Sequence, residues 1–323
     1  MMTHKWILSF FVAAVLGTSA HAQEFPAQPI HITVPYTAGG VTDIVARSLA
    51  RIVESSLGKA VVIENKPGAN GTMGAIRMTT ARPDGYSLSI VPVGIFRQPV
   101  IQKMSFDPIK DLTYISSLVD YTYVIATRSD AKWKTVKDFV GHARVNPGMT
   151  YGTPGIYSTP HLSMEEFSEK GGFKFTHVPY KGAAEVIPAV LGSQVDVVAG
   201  TGSSALVSFI EKGDIRVLAA ISDERLADFP DVPTLKESGF DVVAKAPFGL
   251  VGPAGMDPKI VAKLDAAFSA ALSDPEFIKM AELNGVVVKH MGPEEYSAYA
   301  KETATLERHR MEALIEKAAS SNK

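Results

Sequence analysis

Between residues 29 and 221 short apolar, β-branched runs alternate with stretches of helical period, and this alternation constrains the fold more than any other feature. Residues 29–34, 61–64 and 87–92 read as strands, while residues 43–57 carry Ile44, Val45, Leu49, Ile52, Val53 and Leu57 on one helical face. Strand, helix and strand in that order predict a parallel sheet covered by helices, an α/β fold. A second series starts near residue 124, with strands at 124–127, 149–151, 195–199 and 217–221 and helices at 133–143, 162–170, 183–191 and 204–212. A polar, proline-rich segment and the run AKAPFGLVGPAGM then lead to a helix capped by Asp257 and Pro258, and a long helix from residue 293 to about 318 ends the chain. Neither internal repeats nor a low-complexity linker interrupt this order. Two series joined by two short crossings, near 124–128 and 243–249, predict two hinged lobes with a ligand cleft between them.

Residues 1–22 stand apart. A weakly basic start with His4 and Lys5, the apolar run WILSFFVAAVLG and the triplet Ala20-His21-Ala22 predict a secretory signal peptide cleaved after Ala22. The mature protein is expected outside the cytoplasm, with no second segment apolar enough to span a membrane. The chain has no cysteine, which excludes disulfides, thiolate nucleophiles and Cys-based metal sites. With 32 basic and 34 acidic residues, nucleic acid is not an expected partner.

No assembled catalytic motif is present: no G-x-S-x-G elbow, no H-E-x-x-H, no phosphate-binding loop. His161 lies near Ser158, Glu165 and Glu166, but residues so close at one helix start seldom meet in triad geometry. No two histidines share metal-ligand spacing, so neither a metal nor a cofactor is expected. Four helix starts recur instead, preceded by glycine or hydroxyl residues: TAGGVTD at 37–43, GTPGIYSTPH at 152–161, YKGAAE at 180–185 and AGTGSSA at 199–205. Each offers unpaired backbone N–H groups and the positive end of a helix dipole, suited to a carboxylate. Their place after strands of two α/β lobes puts them at the mouth of a cleft.

The run QPIHITVPYTAGGVTDIVARSLA, followed by LGKAVVIENKPGANGTMGA and RPDGYSL, closely resembles the receptors of tripartite tricarboxylate transporters, also called Bug proteins. The later pieces VPYKGAAEVIPAVLGSQVD, GDIRVLAAISDERLADFPDVPTLKESGF and FGLVGPAGMDPKIVAKL agree, so the resemblance covers essentially the whole mature chain. It implies a two-lobed periplasmic binding protein of type II, each lobe a mainly parallel sheet flanked by helices. Lobe 1 is expected to comprise residues 23–125 plus 247–323, and lobe 2 residues 126–246. The implied function is capture of a small di-, tri- or aromatic carboxylate by lobe closure and delivery to a two-subunit membrane permease, by a monomer that is not an enzyme. A ligand-sensing adaptor for a sensor kinase, or an exported carboxylate-processing enzyme, are the competing readings.

Carried onto this chain, the resemblance implies ligand contacts from Tyr36, Thr37, Ala38, Gly39 and Gly40, with Asp43 shaping the loop. The second lobe would supply Ser158, Thr159 and His161, then Tyr180 and Lys181, then Thr201, Gly202 and Ser203. Two departures matter. AGTGSS stands where many relatives place an Asp, and VGIFRQP stands where many place small hydroxyl residues. The second puts Phe96 and Arg97 at the cleft, Arg97 as a bidentate clamp for a second carboxylate and Phe96 as packing for the ligand's body.

Overall fold

The structure, a computed structural model, describes residues 24–321 apart from 103, 105, 181, 182 and 203, so the expected signal peptide lies outside the described residues. The first sheet contains β1 (Ile30–Val34), β2 (Val61–Asn65), β3 (Ser87–Pro92) and β4 (Leu112–Tyr121). The chain then enters a second sheet through β5 (Tyr123–Arg128), β6 (Met149–Thr153), β7 (Phe175–Pro179), β8 (Val197–Thr201) and β9 (Ile215–Ala220). It returns to the first sheet with β10 (Pro247–Pro253) and β11 (Val286–Met291).

The helices are α1 (Val41–Leu57), α2 (Met73–Met78), the short α3 (Gln98–Ile101), α4 (Val136–Val145), α5 (Thr159–Gly171), α6 (Ala183–Leu191), α7 (Ser204–Glu211), α8 (Pro258–Leu272), α9 (Pro275–Leu283) and α10 (Pro293–Ser321). Strand order is β11-β4-β10-β3-β1-β2 in the first sheet and β7-β6-β8-β5-β9 in the second. β1 runs parallel to both β2 and β3, and β6 runs parallel to both β7 and β8. The first strand after each crossing runs antiparallel to its neighbours: β5 to β8 and β9, and β10 to β3 and β4; β11 is antiparallel to β4 as well.

This topology positions the site. Strand order reverses at β1/β3 in one sheet and at β6/β8 in the other, and the carboxyl ends of strands at such reversals leave a crevice. α1 starts in the first crevice and α5 in the second. Ile30, Ile32, Val34, Val45, Leu49 and Val53 bury the β1–α1 unit in a core shared with Leu264 and Phe268 of α8. A second core continues from Tyr114 and Tyr296 beside the first sheet to Ile125, Phe139 and Tyr151 of the second, so apolar burial itself joins the sheets.

The crossings are tied together by hydrogen bonds. Thr122, between β4 and β5, donates from both its backbone N–H (2.9 Å) and its hydroxyl (2.8 Å) to the carbonyl of Gly285. Its own carbonyl accepts the N–H of Gly202 at 3.2 Å.

Candidate functional site

The turn that leads from β1 into α1 is held from beneath. Gly39 has φ +81°, and its N–H donates to the Asp43 carboxylate at 2.9 Å. Asp43 is buried and also accepts from Arg47 Nε (3.1 Å) and Asn65 Nδ2 (2.9 Å). Burial pushes its carboxyl up, but the hydrogen bonds from Arg47, Gly39 and Asn65 outweigh this and hold it below the ordinary value. A Cβ on Gly39 would meet nothing within 4 Å, so the turn needs glycine there for its conformation rather than for space. Above, Thr37, Ala38 and Gly39 are exposed. Gly40 caps α1 with no side-chain hydrogen bond, whereas Thr135, Ser158, Asp257 and Asp274 cap α4, α5, α8 and α9 with theirs. The first N–H groups of α1 are therefore left for an outside acceptor.

Neutral phenols surround this start. The Tyr36 hydroxyl lies against Gly71, where a Cβ would sit only 2.6 Å away, which explains a glycine in the NKPGANG turn. The turn contains a 3-10 turn at Ala69–Gly71 and leads into α2. The Thr42 hydroxyl and the Tyr121 hydroxyl share a short hydrogen bond, and the rings of Tyr121 and Tyr123 stand 5.9 Å apart. Burial pushes Tyr36 up to about 12 against the pull of Arg97, and raises Tyr121 and Tyr123 as well. All three remain protonated hydrogen-bond donors near neutral pH. Thr42, Tyr121 and Tyr123 were not singled out in the sequence; the pattern VDYTYV, two tyrosines flanking the crossing, was the available signal.

Opposite, Ser158 caps α5, accepting from the His161 N–H at 3.4 Å. The Thr153 hydroxyl collects Gly155 O (3.0 Å), His177 Nε2 (2.7 Å) and Ser158 Oγ (3.4 Å). His161 is buried. Its Nδ1 accepts the Tyr157 N–H at 2.9 Å, and its ring stacks on His177 with centroids 3.9 Å apart. Burial, then His177, then Arg97 bring His161 down to about 3, and burial brings His177 down to about 4. Both imidazoles are neutral near pH 7, so neither offers charge to an anion.

The structure corrects the roles expected of Arg97 and Phe96. Arg97 is 2% exposed and its fork is taken: Nε and Nη2 donate to the two Glu307 carboxylate oxygens at 2.8 and 2.7 Å. Its Nη1 donates to Tyr157 O (3.2 Å) and Thr159 Oγ1 (3.0 Å). A protein carboxylate, 210 residues away in the chain, occupies the position expected for a second ligand carboxylate, and the Thr159 hydroxyl accepts from Arg97 itself. Phe96 is a core residue, 5% exposed and stacked on Tyr114.

The remaining expected contacts have the following surroundings. Gly202 is buried and its N–H belongs to the crossing at Thr122. Thr201 closes β8 opposite Tyr123 and borders an apolar cavity with Pro154, Val186 and Leu206. The Tyr180 ring packs over Gly152, and its hydroxyl reaches Gln194 at 3.5 Å. Lys181 and Ser203 lie outside the described residues. Among the described residues no group of acidic and histidine side chains is arranged to hold a metal ion, and no helix is long and apolar enough to cross a membrane.

Known proteins are similar to this chain in sequence and geometry. The model of the tripartite tricarboxylate transporter family receptor matches residues 45–319. The UPF0065 protein in the gbd 5′ region of Cupriavidus necator is 42% identical over 305 residues, 94% of this chain and 91% of that one. The solved periplasmic binding protein BugD superposes with a TM-score of 0.80 at 31% identity, covering 91% of this chain and 99% of that one. An R. palustris protein solved with adipate gives a TM-score of 0.82 at 26% identity over 92% of this chain and 99% of its own. MatC from Rhodopseudomonas palustris, solved with bound malate, gives 0.79 at 27% identity over 89% of this chain and 100% of its own.

Proposed function

The chain belongs to the tripartite tricarboxylate transporter receptor family, a family of solute-binding receptors rather than enzymes, and from that premise we propose that it captures a small dicarboxylate between its two lobes. One carboxylate docks on the uncapped start of α1, at Gly40 to Thr42, with the phenols of Tyr36, Tyr121 and Tyr123 and the Ser158 hydroxyl as neutral donors around it. The observation that carries this reading is the α1 start itself, capped by a glycine with no side-chain bond at the strand-order reversal of the first sheet. The dicarboxylates held by two relatives of the same fold, adipate and malate, support the ligand class.

The lobes hinge where the chain changes sheet, at Thr122 and just before Pro247, which puts the whole of β5 in the second lobe rather than splitting it at residue 125. Closure excludes water, which strengthens each N–H···O contact. The receptor works in the periplasm after loss of residues 1–22 and hands its ligand to a two-subunit membrane permease. A thermal-shift screen of mono-, di-, tri- and aromatic carboxylates tests the reading. A dicarboxylate at about 100 times its dissociation constant should stabilise by roughly 2.7 kcal/mol. A panel in which no carboxylate shifts the melt contradicts it.

A further inference from the structure

Arg97 joins three parts of the molecule that the chain leaves far apart. Through Nε and Nη2 it holds Glu307 of α10, a helix packed on β4, α3 and the 3-10 turn Val93–Phe96 beside the first sheet. Through Nη1 it holds Tyr157 O and Thr159 Oγ1 at the start of α5, on the second sheet. A guanidinium is a rigid planar fork, so bidentate engagement of Nε and Nη2 fixes where Nη1 points. Glu307 thereby aims the remaining donors across the cleft. On the far side Tyr157 has φ +57°, a left-handed conformation that a tyrosine seldom adopts. Its N–H is fixed by His161 Nδ1 and its carbonyl by Arg97, so the strained residue is gripped from both lobes.

We infer that Glu307, Arg97 and Thr159 form an inter-lobe latch, in which the C-terminal helix aims Arg97 and Arg97 holds the start of α5 closed without a ligand. This goes beyond the carboxylate reading and stands whatever the ligand is. The latch is releasable: when the lobes part, Glu307 stays paired with Arg97, and the two bonds that Arg97 makes to uncharged acceptors are exchanged for water, alongside the partly exposed contact of Arg310 on α10 with Glu166 and the Leu162 carbonyl on α5. No isolated buried charge is left behind. A ligand-free population shifted towards the closed form reduces the fraction of binding lost to reorganisation.

Glu307 and Arg97 are positioning residues here, and distance measurements on the ligand-free protein test their role. The chain has no native cysteine, so Lys66→Cys and Pro179→Cys place spin labels at the carboxyl ends of β2 and β7, one on each sheet. The otherwise native protein should give one short, narrow distance by pulsed electron paramagnetic resonance. Arg97→Ala, Glu307→Gln and Thr159→Val should each raise the long-distance population roughly fivefold. Thr159→Ser, which keeps the hydroxyl, should restore the native distribution. Thr159→Val is nearly isosteric and leaves the ion pair intact, so it keeps the test decisive if Arg97→Ala fails to fold. A folded Thr159→Val protein with an unchanged distribution, or a Thr159→Ser protein that opens as Thr159→Val does, overturns the latch.

Discussion

The carboxylate of Asp120 accepts the backbone N–H of Ala246 at 2.7 Å, fastening the outgoing crossing between the sheets to the returning one. Burial raises Asp120 to about 6, against hydrogen bonds from Ala246 and Tyr121 and the nearby charges of Lys289 and Lys245. A carboxyl raised in the folded state favours the protonated form, so this group's contribution to stability falls as pH rises from about 4 to about 6 and is flat above. A shift of this size corresponds to roughly 2–3 kcal/mol. Asp120→Asn keeps an acceptor for Ala246 and removes the titration. In urea melts it should be at least as stable as the native protein at pH 7, with its advantage shrinking towards pH 4. An advantage that does not change with pH argues against the assignment.

The stacked pair His161 and His177 acts in the opposite sense. Both have folded values below the ordinary 6.5, at about 3 and about 4, so the stability they contribute is full above pH 6.5 and lost as pH falls through 4. His177→Gln retains an amide donor for the Thr153 hydroxyl and cannot charge. Its melts at pH 7, 5.5 and 4.5 should show a shallower acid loss than the native protein. An identical slope would mean that the pair does not govern acid stability.

Gly285 has φ +64°, and a Cβ there would lie 2.4 Å from the carbonyl oxygen of Gly202 across the hinge. Gly285→Ala should destabilise by about 2–4 kcal/mol, from backbone strain together with a clash against rigid main chain. Gly141→Ala, in the exposed middle of α4 with open space around its Cβ, should instead stabilise by roughly 0.5–1 kcal/mol. Chemical denaturation of the two variants checks the pair, and equal effects would contradict the hinge contact.

Asp43 holds the α1 turn through Gly39, Arg47 and Asn65. Asp43→Ala should free Gly39, loosen the turn and weaken dicarboxylate binding by about tenfold or more, the equivalent of roughly 1.4 kcal/mol, while the protein stays folded. Gly39→Ala should weaken binding through its φ of +81° rather than through blocked access, so adding bulk there should matter less than adding any Cβ. Calorimetric titration of both variants tests this.

Local pattern made some of this fold legible and hid the rest. β3 and α6 fall within the bounds read from their apolar runs, and the start of α1 lies two residues before its reading. β10 escaped because Pro247, Gly249, Gly252 and Pro253 read as loop; in the structure Gly249 permits close pairing, since a Cβ would lie 2.4 Å from Ser116 O. β11 escaped because its middle residues are all exposed, which erases period-two alternation. Within the site, the TAGG turn and the α5 start could be seen as local motifs. The role of Arg97 could not, because its partner Glu307 is brought in only by the packing of α10, and no spacing rule connects them.

Calorimetric titration of the best dicarboxylate from the thermal-shift panel, at 50 and 500 mM salt, tests the central claim most directly. Capture by backbone N–H groups and phenols in a closed cleft predicts clear binding with affinity changed by less than about twofold between the two salts. Absence of binding by any dicarboxylate, or a loss of affinity beyond about tenfold at high salt as an exposed cationic clamp would give, contradicts it.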